Sequence, residues 1–95
     1  MKYIEYAAHE RGYIVAVCDQ TGILETYEAG NSPHDSQVWI EPNSPNAEPL
    51  SVLEKYAKQT ALEMADEHGI PHDQVIENGD LVGEWPSVDI GRLFY

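Results

Sequence analysis

Between Pro49 and His68 the apolar positions recur at three- and four-residue steps. Leu50, Leu53, Ala57, Thr60, Ala61, Met64 and His68 fall on one side of a helical wheel. Glu54, Lys55, Lys58, Gln59, Glu63, Asp66 and Glu67 fill the other. This spacing predicts an α-helix over Pro49–His68. Pro49 suits a first helical turn, Ser51-x-x-Glu54 has the form of a capping box, and Gly69 followed by Pro71 marks the stop. A single apolar stripe cannot bury itself, so a flat apolar surface is expected beneath it.

Elsewhere the pattern switches toward strands. Lys2–His9 reads as a first strand, with Tyr3, Ile4, Tyr6 and Ala7 carrying β-propensity. Tyr13–Cys18 is apolar at every position and reads as a central strand covered on both faces. Asp19-Gln20-Thr21-Gly22 is a hairpin connection, and Ile23–Ala29 a third strand with Glu25 and Glu28 exposed. Gln37–Glu41 alternates and reads as a short fourth strand, with either set of side chains able to face inward. Pro42–Pro49 holds three prolines and two asparagines, a stiff lead into the helix. After the helix, Asn78-Gly79 signals a tight turn between arms at 74–77 and 81–85, with one helical turn after Pro71 as the alternative for its start. The apolar tail Val88–Tyr95 is expected to be tied down on the domain or on a partner. The expected architecture is α+β. It is an antiparallel sheet of three or four strands, with one long helix on a face and a C-terminal hairpin or extension, in one domain over 1–95.

Charge changes the picture more than composition does. Seventeen acids face five bases, for a net charge of −12. Gly12–Glu54 holds seven acids and no base, and Gln59–Gly91 holds eight acids and no base. Such a surface repels nucleic acid and anionic membranes, so neither is expected as a direct partner. It attracts basic surfaces, which proteins commonly build to hold nucleic acid. Plain solubility is the competing explanation for the acidity. The 42% hydrophobic content includes no run approaching the ~20 residues of a membrane span, and no signal peptide is read at the start. A single cysteine, Cys18, allows no internal disulfide and fits a cytoplasmic setting. With Asp19 beside it, it reads as a strand thiol rather than a nucleophile.

Candidate chemistry is sparse. His68-Gly69-Ile70-Pro71-His72-Asp73, with Asp66 nearby, has metal-ligand residue types. Helix breakers lie between the two histidines, which therefore do not share a helical face, and no metal is expected. His34-Asp35-Ser36 carries hydrolytic residue types without the elbow that would present them, and reads as a loop. No phosphate loop appears, and no cofactor is expected. Tyr6 shares a strand face with Ile4 and Ala8, Tyr3 shares the other with Glu5, and one of the two tyrosines is expected to face solvent.

Two resemblances bear on function. Met1-Lys2-Tyr3-Ile4-Glu5-Tyr6, with Ile14-Val15-Ala16-Val17 and a Gly-containing turn after it, resembles the start of a small phage anti-CRISPR protein family. That resemblance implies a compact antiparallel sheet carrying helices. It also implies binding to the backbone subunits of a type I CRISPR surveillance complex and a block on target DNA. A contact tyrosine would fall at Tyr6, and a second would fall at Cys18, where this chain departs from the pattern. Met1-Lys2-Tyr3, Gly12-Tyr13-Ile14-Val15-Ala16-Val17 and His68-Gly69-Ile70-Pro71 are similar to the outline of HicB-type antitoxins, which neutralise a basic RNase. That family's Leu-Pro-Gly-Cys segment is replaced here by Asp19-Gln20-Thr21-Gly22.

Both resemblances imply an acidic, non-enzymatic protein that occupies another protein's nucleic-acid surface. The expected partner is a basic nucleic-acid-binding protein, in the first case subunits of a type I CRISPR complex. Expected contact residues are Tyr6, Glu25, Glu28, Asp66 and Glu67. The alternative from another class is a small enzyme or ligand-binding domain using the His68–Asp73 region.

Overall fold

A computed structural model describes residues 1–82. Strands β1 (Tyr3–His9), β2 (Gly12–Asp19) and β3 (Gly22–Gly30) are followed by helix α1 (Leu50–His68) and strand β4 (Val75–Glu77). The fold is α+β, with a four-stranded sheet in the order β3-β2-β1-β4. The first three strands form an antiparallel meander, as expected, with Ile4 opposite Val17 and Val15 opposite Tyr27.

The fourth strand corrects two expectations. It is Val75–Glu77, not 37–41, and it runs parallel to β1, with Ile4 opposite Val75 and Tyr6 opposite Glu77. The sheet is therefore mixed rather than purely antiparallel. The chain leaves β3 at one edge, crosses through the helix, and arrives at the other edge in the direction of β1, as parallel pairing requires. Asn78-Gly79 does not turn a hairpin. The Asn78 N–H donates to the Tyr6 carbonyl at 2.9 Å and prolongs the β4 pairing. Gly79–Val82 is then a 3-10 turn. The rest of the expected second arm, and the tail 88–95, lie outside the described residues. His72–Gln74, just after Pro71, forms one 3-10 turn.

Segment 37–41 is not a strand because a side chain takes the place of its partner. Asn31, fully buried, donates from Nδ2 to the Glu10 and Ile40 carbonyls at 2.8 and 2.9 Å. Its Oδ1 accepts the Ile40 N–H at 2.8 Å, and its carbonyl accepts the Glu48 N–H at 2.8 Å. One amide thus satisfies both backbone groups of Ile40, which a neighbouring strand would otherwise have to do. The loop folds back onto the end of β3 so closely that a Cβ on Gly30 would lie 2.1 Å from the Val38 carbonyl oxygen. Trp39 turns inward and Val38 outward, which resolves the ambiguity of that alternation.

Two layers of apolar contact enclose β2, whose residues Gly12–Cys18 are all buried. On one face Ile4, Tyr13, Val15, Val17 and Ala29 meet Leu53, Ala57, Ala61, Met64 and Ala65 of α1, with Ile70 beyond it. On the other, Ala7 and Ile14 lie beneath Trp39 and Leu81. The helical stripe is rotated slightly from expectation, because Ala65 is buried while Leu50 is exposed.

The helix ends differ in how closely they follow the expectation. Pro49 stands just before the first helical residue, and no side chain caps that end. Ser51 already lies inside the helix, too late to close a box with Glu54. At the other end Gly69 is left-handed (φ 67°, ψ 30°). The Gly69 N–H donates to the Asp66 carbonyl and the Ile70 N–H to the Ala65 carbonyl at 2.7 Å. This is a Schellman stop, and burial of Ile70 supplies its hydrophobic contact.

Candidate functional site

Helix α1 packs over β1 and β2, and among the described residues the Gly22–Tyr27 part of the edge strand β3 is left uncovered. Every residue from Gly22 to Tyr27 is exposed, including Ile23 and Leu24 at 58% and 50%. Glu25 and Tyr27 stand opposite Val17 and Val15, so they share the helix-side face of the sheet.

A short chain of contacts joins this strand to the helix. The Tyr27 and Tyr13 ring centroids are 6.2 Å apart. The Tyr13 hydroxyl lies 3.3 Å from the Thr60 hydroxyl. Burial pushes the Tyr13 phenol's pKa up, the Thr60 hydrogen bond acts against it, and the neighbouring charge of Glu63 adds a smaller upward push. Tyr56, Thr60, Glu63 and Glu67 follow one another at helical spacing, so the same side of α1 that holds Thr60 presents two carboxylates. Farther along, His68 Nε2 lies 3.6 Å from Glu25 Oε2. The result is a shoulder between β3 and α1, bordered by Glu25, Tyr27, Glu63 and Glu67. The extra residue Leu24 is exposed next to Glu25, while Ile23, opposite Cys18, lies on the other face of the sheet.

The five expected contact residues do not all meet there. Glu25 and Glu67 do. Asp66 turns its carboxylate to His72, at 2.8 Å from Nε2, toward the segment that leads into β4. Glu28 lies opposite Ile14, on the other face of the sheet from Glu25, and is half-buried rather than exposed. Tyr6 sits on the helix-side face but is half-buried against the core, with β2 between its strand and β3. Its phenol pKa is raised by that burial and by the charge of Glu77. Tyr27, Glu63 and Leu24 are missing from the expected set. The sequence signal for Tyr27 is its alternation with Glu25. What the sequence lacks is any sign that β3 is an edge.

The remaining candidates resolve into local structure. His68 and His72 reach for different carboxylates, Glu25 and Asp66. Among the described residues, no three His, Cys, Asp or Glu side chains group in a way that would hold a metal ion, and no pocket is found. In 34–36 the backbone takes over: the Ser32 hydroxyl accepts the His34 and Asp35 N–H groups, and the Asp35 carboxylate accepts the Gln37 N–H. Cys18 is buried opposite Tyr3. Burial foremost, then the charge of Glu5, pushes its thiol pKa up, which keeps it protonated. Among the described residues no helix is long and apolar enough to cross a membrane.

Comparison with protein-family models, with curated proteins and with solved structures gives no match.

Proposed function

We propose that this chain is an acidic inhibitor that binds a basic, nucleic-acid-handling protein and occupies its nucleic-acid surface. The observation that carries the reading is the shoulder. Glu25, Glu63 and Glu67 stand around exposed Tyr27, with exposed Leu24 next to Glu25, on a chain whose net charge is −12. Carboxylates ringing an apolar and aromatic patch supply both elements that a basic surface needs from a protein partner. The field steers the encounter, and the buried side chains hold the complex. Each charge pair is weak alone and screened over ~8 Å at physiological ionic strength, so affinity comes from several pairs acting around the apolar patch. Glu28 and Asp66 contribute through the field rather than through the central contact, and Tyr6, neutral and half-buried against the core, lies outside both.

The target is a type I CRISPR surveillance complex, in line with the resemblance at Met1–Tyr6. An RNase toxin of the HicB-partner kind is the second arm of the same test. The protein is added to each candidate, and nucleic-acid binding is measured at two salt concentrations. Competition that weakens as salt rises is the expected result. Unchanged nucleic-acid binding in both arms, with no basic protein recovered by affinity capture, would leave the acidity as a solubility trait and sink the proposal.

A further inference from the structure

The outer edge of β3 has a defined hydrogen-bonding character. In an antiparallel pair, residues alternate between those whose N–H and C=O point into the pair and those whose groups point away. The Tyr6 carbonyl accepts from Asn78, so the backbone groups of Tyr6 point away from β2. Its neighbour Ala7 therefore bonds with Ile14, and Val15, next along β2, bonds with Tyr27. Thr26 and Glu28, on either side of Tyr27, must then turn their backbone groups outward. Gly30 gives an independent check on this phase, because its N–H leaves the sheet and donates to the Ser36 carbonyl.

That edge is open over Glu25–Glu28. Among the described residues no strand pairs with it. The register shift between Val17 and Cys18 leaves Leu24 as an extra residue at one end, and the loop at Ser36 covers the other. Natural edges are commonly blunted by Lys or Pro, and Gly22–Gly30 contains neither. The charge around the edge selects its occupant. Glu25 lies on one face and Glu28 on the other, Glu63 and Glu67 stand on the helix beside it, and no base lies between Gly12 and Glu54. A second copy would bring the same carboxylates into the same place, and self-repulsion opposes it.

We infer that β3 accepts an extended, Lys/Arg-bearing segment of a partner protein as a fifth strand, paired through Thr26 and Glu28. Basic side chains at alternate positions would then share one face and reach the helix-side carboxylates Glu25, Glu63 and Glu67, while the apolar side chains between them turn to the other face, where Ile23 is exposed. This deepens the proposed function and rests on its premise that the partner is basic.

The test uses the full chain and a ten-residue peptide of alternating Lys and Val, read by fluorescence anisotropy. Its control is the same peptide N-methylated throughout, which keeps the charge and removes the strand donors. Thr26→Pro deletes an outward N–H, which an edge strand tolerates, and Thr26→Val is its partner variant. The expected result is that N-methylation and Thr26→Pro each weaken binding at least about tenfold, while Thr26→Val leaves it unchanged. If Thr26→Pro fails to fold by circular dichroism, the N-methylated peptide still decides. Equal binding of both peptides would overturn strand addition and leave the inhibitor reading standing. So would absence of peptide binding alongside capture of a basic partner. Self-association by sedimentation, abolished in a folded Thr26→Pro, would give the edge to a second copy and overturn the inference. Backbone-dependent peptide binding with no basic partner recovered would support the edge and sink the proposed function.

Discussion

The hydroxyls of Tyr13 and Thr60 lie 3.3 Å apart although 47 residues separate them in the chain. They join the centre of the sheet to the middle of α1, at the point where the core gives way to the exposed shoulder. Tyr13→Phe and Thr60→Val should each cost about 1 kcal/mol in urea unfolding. The double variant should cost less than the sum of the two, because the second change removes a bond already lost. Strict additivity would mean that the hydroxyls do not act on each other.

Leu53 is almost completely buried between α1 and the sheet. Leu53→Ala should lower the unfolding free energy by roughly 2–5 kcal/mol, through lost transfer energy and the cavity left behind. Leu53→Asp should be worse, since it buries an unpaired charge. A variant that melts like the parent would show that the helix stripe is not the core.

Asn31 offers a different kind of failure. Asn31→Ala removes three side-chain hydrogen bonds and leaves the Glu10 carbonyl and both backbone groups of Ile40 without that partner. The expected loss is about 2–4 kcal/mol. Trp39 should become more exposed as the loop releases, which iodide quenching of fluorescence would detect.

His9 carries the acid sensitivity. Burial chiefly, and the Arg11 charge secondarily, lower its pKa from 6.5 to about 4. Its Nδ1 accepts the Arg11 backbone N–H at 3.0 Å, a bond that the neutral ring can make. A base whose folded pKa lies below its unfolded value contributes stability that is fully present above the unfolded value. That contribution is lost as pH falls through the window from 6.5 to about 4. The melting temperature should therefore drop between pH 7 and pH 5, and less steeply in His9→Asn. Proton titration of the ring by NMR should give a midpoint near 4, and a midpoint at 6.5 would refute the account.

The shoulder acids are exposed, so reversing them should spare the fold. Glu25→Lys with Glu63→Lys and Glu67→Lys should change stability by less than about 1 kcal/mol by urea unfolding. The same variant should lose competition with nucleic acid for the target. Intact competition would move the contact surface elsewhere.

The long elements were readable because each carries a repeated signal. Helix α1 shows several turns of periodicity and an unambiguous stop at Gly69. Strand β2 is apolar from Tyr13 to Cys18, and its burial on both faces follows. The short features were not readable, for reasons of energetics rather than pattern. Three residues, Val75–Glu77, form a strand because β1 offers an unoccupied edge, and nothing local favours that outcome over a hairpin arm. Val38 and Ile40 alternate like a strand, yet a buried Asn31 satisfies Ile40 first. The site was half legible. Acidity marked Glu25 and Glu67, but the order of strands decides which side chains stand uncovered, and that order is a tertiary outcome.

The parallel pairing of Ile4 with Val75 also sets a schedule for synthesis. Two-residue turns, Glu10-Arg11 and Gln20-Thr21, connect β1 to β2 and β2 to β3, so the meander can close as soon as it emerges. Its β1 side must then wait for a strand that begins 45 residues beyond the end of β3, from Gly30 to Val75. At ribosomal speeds of about 5–20 residues per second, that wait is roughly 2–9 s. Throughout it the nascent chain exposes two unpaired strands, one at each side of the sheet, and the ribosome itself is a surface rich in basic protein and RNA. Arrival of Val75–Glu77 closes one of them, and among the described residues β3 remains as the side still open.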